Sequence, residues 1–169
     1  MGVETLISVE EYLSTSYHPD MEYEDGVLVE RNVGDWLHSL VQRNLIVSLS
    51  RKYPGIFAVP ELRSQTRPTR FRLPDVCVLL ARPGTKYLVD AAFLAIEVLS
   101  EDDRMTKMIE RLEEFDRKGV PNIWVIDPRR LTLSIYSDGV LHEVRGASIA
   151  TAGDPCLELT RDEIFRDLA

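Results

Sequence analysis

Three short apolar runs constrain this chain more than any other feature. They span 74–80 (Pro-Asp-Val-Cys-Val-Leu-Leu), 93–99 (Phe-Leu-Ala-Ile-Glu-Val-Leu) and 122–126 (Asn-Ile-Trp-Val-Ile). Each has the length of a strand and reads as buried on both faces. Between the second and third lies a stretch with helical periodicity, from about Asp103 to Lys118, opened by Ser100-Glu101-Asp102-Asp103 and closed by Gly119 and Pro121. Strand, helix, strand in that order predicts a right-handed crossover between parallel strands.

The flanks add smaller elements. Ser8-Val9-Glu10-Glu11 is a capping-box pattern and predicts a short helix through Tyr12 and Leu13. Asp25-Gly26 predicts a hairpin joining Met21–Glu24 to Val27–Glu30. Trp36, Leu37, Leu40, Val41 and Leu45 predict a helix from about Gly34 to Lys52, ended by Pro54-Gly55. A short strand follows at Ile56–Val59, then a polar, arginine-rich stretch at Glu61–Arg72. Ser137-Asp138-Gly139 predicts a second hairpin, Leu131–Tyr136 with Val140–Val144, and a short helix is expected near Arg161–Leu168. The fold class is therefore α/β, a mixed β-sheet flanked by helices with N- and C-terminal hairpins. The 169 residues suit a single domain over 1–169.

Composition narrows the function classes. No apolar run approaches the roughly 20 residues of a membrane span, so no membrane partner is expected. The start, MGVETLISVEEYL, has no basic segment and does not read as a signal peptide. Cys77 sits in an apolar run and Cys156 far from it, a pattern of core thiol rather than disulfide or zinc site; a cytoplasmic protein is expected. The net charge of −8 is unhelpful for unspecific binding to phosphates. Metal-holding carboxylates would raise the acidic count, and a local basic patch can still steer DNA. There is no glycine-rich phosphate loop and no Cys/His ligand spacing.

The chemistry-bearing feature is a pair of carboxylates in buried strands. Asp75 opens one apolar run and Glu97 interrupts another. An ionised carboxylate inside a sheet is costly unless paired or metal-bound. Two in neighbouring strands repel each other, and a divalent cation removes that repulsion. The residues alone leave a second reading open, in which Asp75 caps a strand start and Glu97 pairs with an arginine.

The order Pro74-Asp75, then Ile96-Glu97-Val98-Leu99-Ser100, then a charged helix ending in Gly119-Val120-Pro121, then Trp124-Val125-Ile126-Asp127-Pro128, resembles the Uma family of bacterial putative restriction endonucleases, within the PD-(D/E)XK nuclease superfamily. The resemblance starts at Ser8-Val9-Glu10-Glu11-Tyr12-Leu13, takes in Glu22, Asp25-Gly26 and His38, and runs nearly the whole chain. It implies a restriction-endonuclease-like fold and Mg²⁺- or Mn²⁺-dependent hydrolysis of DNA phosphodiesters. Carried over residue by residue, Asp75 matches the Asp of the PD motif, Glu97 the acidic residue of the second motif, and Glu22 the family's N-terminal glutamate; these three are the expected metal ligands.

The chain departs from the superfamily pattern two residues after Glu97, where Leu99 replaces lysine. In this family the basic residue resembles one moved onto the following helix, and here that position is Arg111, with Lys107 one turn earlier. On a helical projection Met105, Met108, Ile109, Leu112 and Phe115 form the buried stripe, Arg111 borders it, and Lys107 lies further toward solvent. Arg111 is the first candidate and Lys107 the second. An arginine holds phosphate or developing charge but does not readily release its proton; an ion pair with Glu97 is the other reading of Arg111.

His38 is a candidate phosphate or metal-water contact, or else a half-buried, locally bonded histidine. Arg63, Arg67 and Arg70, with Arg72, precede Asp75 and would form a basic wall for DNA phosphates if they shared one face; a solvated hairpin is the alternative. Glu61 reads as a strand-end surface residue and Trp124 as core. A homodimer is plausible because a duplex has two strands related by a two-fold axis. The leading function is a metal-dependent DNA endonuclease. The alternatives are a catalytically degenerate member that binds nucleic acid or a protein, and an interaction domain without a site, which a tight Arg111–Glu97 pair leaving no room for a cation would favour.

Overall fold

The computed structural model describes residues 5–168. The three apolar runs become β6 (Val76–Leu79), β7 (Leu94–Val98) and β8 (Asn122–Asp127), and the helix between the last two is α3 (Met105–Lys118). They sit in a six-stranded sheet with β3 (Phe57–Pro60), β9 (Thr132–Ser137) and β10 (Val140–Val144), in the order β10-β9-β8-β7-β6-β3. β7 and β8 pair in parallel across the α3 crossover, Glu97 opposite Val125, and the other pairs are antiparallel. The mixed α/β sheet expected from the sequence is the sheet found.

Period-2 alternation sends alternate side chains to opposite faces. Ile96, Val98, Trp124 and Ile126 pack with Val41, Leu45 and Leu49 of α2 (Trp36–Lys52). Ala95, Ile123 and Val125 pack on the other face with Met108, Leu112 and Phe115 of α3. Glu97 shares the Ala95 phase, so the strand geometry turns it toward α3. Asp35 caps α2 by accepting from the His38 N–H at 2.9 Å, and Gly119, at φ 94°, ends α3 in the left-handed conformation that glycine adopts without strain. The short helix α1 (Val9–Ser14) starts at Ser8 as its cap pattern predicts. Among the described residues no helix is long and apolar enough to cross a membrane.

Several expectations need correcting. The polar stretch Glu61–Arg72 is a hairpin, as one of its two readings had it, but not a solvated one: β4 (Ser64–Arg67) and β5 (Arg70–Arg72) bury Ser64, Thr66 and Arg72. It joins β1 (Glu22–Glu24) and β2 (Val27–Val29) in a second sheet of order β2-β1-β5-β4. The periodicity hid it because charges, not apolar groups, fill part of its inner face. Arg72 is buried there, donating to Glu22 at 2.9 Å, Glu24 at 2.5 Å, and Glu114 through both Nε and Nη2 at 2.9 and 2.8 Å. The tail forms β11 (Ser148–Ala150) and β12 (Glu158–Thr160), which the sequence did not announce, before a helix α4 shorter than expected (Arg161–Ile164). Trp36 and Met105 are exposed, 74% and 55%, rather than in the buried stripes. Each is the first residue of its helix, ahead of the turns that pack on the sheet.

Glu114 on α3 is the counter-charge that lets this second sheet bury arginine. It accepts from Arg72, Arg70 (2.6 Å) and Thr66 (2.9 Å). Burial alone would raise its pKa, but the hydrogen bonds and charge of Arg72 and Arg70 hold it down at about 2. A carboxylate depressed in the folded state stabilises it above the unfolded value of 4.5 and loses that contribution as pH falls through about 2. Glu114→Ala should therefore lower stability by about 3–5 kcal/mol at neutral pH by leaving Arg72 Nε and Nη2 buried without their acceptor. In urea titrations that difference should shrink steadily from pH 5 down to pH 2.

Candidate active site

The site is a cavity of about 200 Å³ lined by residues of β1, β7, α2, α3, and the segment linking β2 to α2. Glu22, Asp75 and Glu97, distant in sequence, all line it, and all are buried, at 1%, 2% and 1% exposure. The register Val76 opposite Ile96 brings Asp75, just before β6, alongside Glu97 in β7. Asp75 Oδ2 accepts from the Val98 N–H at 2.7 Å. Its Oδ1 accepts from Arg31 Nη2 at 2.5 Å and faces His38 Nε2 at 3.2 Å. Gln42 donates to the Asp75 carbonyl at 2.7 Å, tying the start of β6 to α2.

Arg111 stands between the other two carboxylates. Its Nη1 donates to Glu97 Oε2 at 2.9 Å and its Nη2 to Glu22 Oε2 at 3.2 Å. Glu22 is engaged at both oxygens, since Oε1 accepts from the Leu73 N–H at 3.0 Å and Oε2 also accepts from Arg72. Glu97 Oε1, by contrast, is buried and meets no protein donor.

The electrostatics separate the two strand carboxylates. Burial pushes Glu97 up to about 8, the Arg111 charge opposing it without overcoming it. Burial also acts to raise Asp75, but the hydrogen bond from His38 and the charge of Arg31 outweigh it and hold Asp75 below the usual carboxylate range. Burial would lower His38, and its hydrogen bond to Asp75 raises it above the ordinary histidine value. Burial thus works against the Glu97 charge that Arg111 supports, while the partners of Asp75 hold its charge.

The arrangement fits a hard divalent cation at two of the three carboxylates. As the side chains stand, no group of three or more Asp, Glu, His or Cys among the described residues is spaced to hold a metal ion. The positive charge is supplied by Arg111 and Arg31. Asp75 and Glu97 nevertheless offer oxygen donors to one cavity, and the unpartnered Glu97 Oε1 is the acceptor a cation would satisfy. Mg²⁺ needs only one or two carboxylates beside waters and phosphate oxygens.

Residues 9–161 match the sequence family Uma2, described as "Putative restriction endonuclease". The chain belongs to the Uma2 family. The matched span contains every residue of this site. A putative nuclease belonging to DUF820 from Anabaena variabilis, known from a crystal structure, is similar at TM-score 0.77 and 21% identity, over 96% of this chain and 99% of its own. At that identity the likeness speaks for the fold. A cryo-electron-microscopy structure of a DrdV–DNA complex is similar at TM-score 0.35 and 14% identity, over 64% of this chain and 12% of its own, and nothing rests on it. No curated protein matches.

This Uma2 chain does not gather all the residues singled out in its sequence. His38, Arg111 and Lys107 line the cavity, Lys107 from an exposed position. Arg63, Arg67 and Arg70 do not line it, so the basic wall is not built as expected. Arg63 lies 4.3 Å over the Tyr12 ring and donates to the Tyr12 carbonyl and to Asp20, fastening α1. Arg70 is spent on Asp25 and Glu114, and Arg67 is exposed. The arginine of that stretch that reaches the cavity is Arg72. Leu99, in the lysine position, packs against the α3 core. Sequence reasoning missed Arg31, and it named Ser100 only as the end of the Glu97 motif and the start of the helix turn; neither carries a spacing or periodic signal of a site residue.

Removing Arg111 should expose how much it neutralises. Arg111→Met leaves Glu22 and Glu97 buried without their shared counter-ion and should cost about 3–5 kcal/mol. Adding Glu97→Gln to the same chain should recover much of that loss in urea denaturation, a coupling that an unrelated packing defect would not produce.

Proposed function

We propose that this Uma2 protein is a metal-dependent DNA endonuclease that hydrolyses phosphodiester bonds, with Asp75 and Glu97 as the protein ligands of a Mg²⁺ or Mn²⁺ ion. The observation that carries the reading is the buried, unpartnered Glu97 Oε1 beside Asp75, in a chain whose family is described as restriction endonuclease. A bound divalent cation supplies Lewis-acid stabilisation of the charge that develops on a phosphodiester under attack. The chain's own residues do the rest. His38 and the Val98 N–H fix the Asp75 carboxylate from two sides. Glu22, like Asp75, has both oxygens engaged; Asp75 is the ligand in this reading because the β6–β7 register sets it beside the free Glu97 Oε1, and Glu22 positions Arg111. Arg111, turned from Glu97 toward a substrate phosphate, stabilises negative charge but stays protonated and is no general base. Lys107, exposed and lining the same cavity, is a further basic group of the site. Two sites related by a two-fold axis suit the two strands of a duplex, so a homodimer belongs to this reading. The two free thiols, buried Cys77 and exposed Cys156, accord with a cytoplasmic protein.

A second reading, a degenerate member that binds nucleic acid or a protein without cutting, is favoured by Leu99 and by arginine at the matched lysine position, and the 2.9 Å Arg111–Glu97 pair favours an interaction domain without a site. Plasmid nicking separates the two. The pure protein should nick supercoiled DNA with Mn²⁺, and Asp75→Ala or Glu97→Ala should lower the rate at least about a hundredfold, the scale of several kcal/mol of lost charge stabilisation. Arg111→Lys should raise the rate, by placing a group that can release a proton where arginine cannot. Absence of metal-dependent nicking at every salt concentration, with no Mn²⁺ binding in calorimetry that Glu97→Ala removes, hands the case to the degenerate reading.

A further inference from the structure

Four buried side-chain atoms among the described residues meet no protein hydrogen-bond partner: Arg31 Nε, Glu97 Oε1, Ser100 Oγ and Trp124 Nε1. Trp124 lies in the apolar core. The other three belong to residues lining the same cavity. Buried polar groups are nearly always paired, so three unpaired atoms on residues around one space point to a group that these side chains turn to meet. Their chemistry is complementary. Arg31 Nε only donates, ionised Glu97 Oε1 only accepts, and the serine hydroxyl does either.

We propose that Arg31 and Ser100 form a phosphate subsite in this cavity, holding a non-bridging oxygen of a DNA phosphodiester next to Asp75 and Glu97. The choice of a DNA phosphodiester rests on the nuclease reading; the subsite itself rests on the unpaired atoms. Arg31 is singled out by what its neighbours have already spent. Arg72 uses all three nitrogens on Glu22, Glu24 and Glu114, and Arg111 bridges Glu22 and Glu97. Arg31 fixes Nη2 on Asp75 and leans Nη1 toward half-exposed Glu61 at 3.3 Å, which leaves Nε held in place and unused. A guanidinium anchored at one edge presents the other to an anion with little further ordering.

Arg31 and Ser100 are also mechanically linked. Asp103 Oδ1 accepts from Asn32 Nδ2 at 2.9 Å, while its Oδ2 accepts from the Ser100 N–H at 2.6 Å. Asp35 at the start of α2 pairs with Arg129. The segment carrying Arg31 is thus tied to the turn after β7 that carries Ser100, and the two groups are presented together. More acidic than basic side chains line the cavity, so an anion enters favourably only together with a cation. Oligonucleotide binding through Arg31 is therefore dependent on a divalent ion.

Fluorescence anisotropy with a labelled DNA oligonucleotide, in Ca²⁺ and across a salt series, tests this in the full chain. Arg31→Gln should weaken binding on the order of tenfold, the scale of one lost charge-assisted hydrogen bond, and flatten the salt slope by about 0.7–0.9, one phosphate contact. Arg31→Lys keeps a charge for Asp75 but lacks the fork, and should recover only part of the affinity. Ser100→Ala should weaken binding a few-fold with the slope unchanged, since a hydroxyl carries no charge. Urea denaturation of each variant establishes that it folds, and Arg31→Lys serves if Arg31→Gln does not. Wild-type affinity and slope in folded Arg31 and Ser100 variants overturns the subsite. So does a wild-type protein that binds no oligonucleotide with Ca²⁺, or a loss of affinity in Arg31→Gln that calorimetry traces wholly to weaker Ca²⁺ binding. Arg31-dependent binding without cutting in Mn²⁺ removes the nuclease reading and leaves the subsite standing; cutting that ignores Arg31 does the opposite.

Discussion

The structure depends on arginines that neutralise buried carboxylates across the join between two sheets and a helix. Glu22 comes from the small sheet, Glu97 from the large one and Glu114 from α3. Arg72 binds Glu22 and Glu114, and Arg111 binds Glu22 and Glu97. Each of these charges would be prohibitively costly to bury alone, and none is alone. The chain of alternating signs fixes where the β1–β5 sheet sits relative to β7 and α3. It thereby fixes the cavity that opens between them.

The same network sets the character of the site. Where a cation could stand between Glu22 and Glu97, the protein places its own guanidinium. Any ion that binds must compete with Arg111 and Arg31 for the carboxylates, and an arginine released from a carboxylate is then available to an anion. On the proposed nuclease reading, cation and phosphate are coupled through Arg111, which an ion at Glu97 displaces toward the substrate, while Arg31 keeps its hold on Asp75. The coupling differs from a site with a lysine two residues after the acidic strand residue, where the base is supplied by the strand itself. Here Leu99 packs against the core, and the basic side chains that α3 brings to the cavity are Lys107 and Arg111.

Much of the fold was legible because apolar period and turn chemistry are local signals. The three buried strands, the crossover helix with its Gly119 end and the Asp25-Gly26 hairpin all lie where their residues place them. What misled was polarity with a partner elsewhere. Ser64–Arg72 reads as solvated because its inward residues are charged or hydroxylic, and their counter-charges come from strands about 50 residues earlier and a helix about 40 later. The site was legible in the same measure. Asp75 and Glu97 stand out as charges within apolar runs, and Glu22 came only from the family resemblance. Arg63, Arg67 and Arg70 looked equivalent to Arg72, and no local rule distinguishes the one that reaches the cavity.

The sequence by itself determined the strands of the large mixed sheet, its two long helices and the two strand carboxylates, because burial, periodicity and turn residues act over a few positions. Tertiary structure alone decided that Arg31 meets Asp75 and that Arg72 and Ser100 line the same cavity, and it chose the Glu97 pair for Arg111, while Arg63 and Arg70 turn away to Tyr12, Asp25 and Glu114. The reason is that a charge's partner is chosen by distance in space and by the cost of desolvating it, and neither quantity is written in the spacing of residues along the chain.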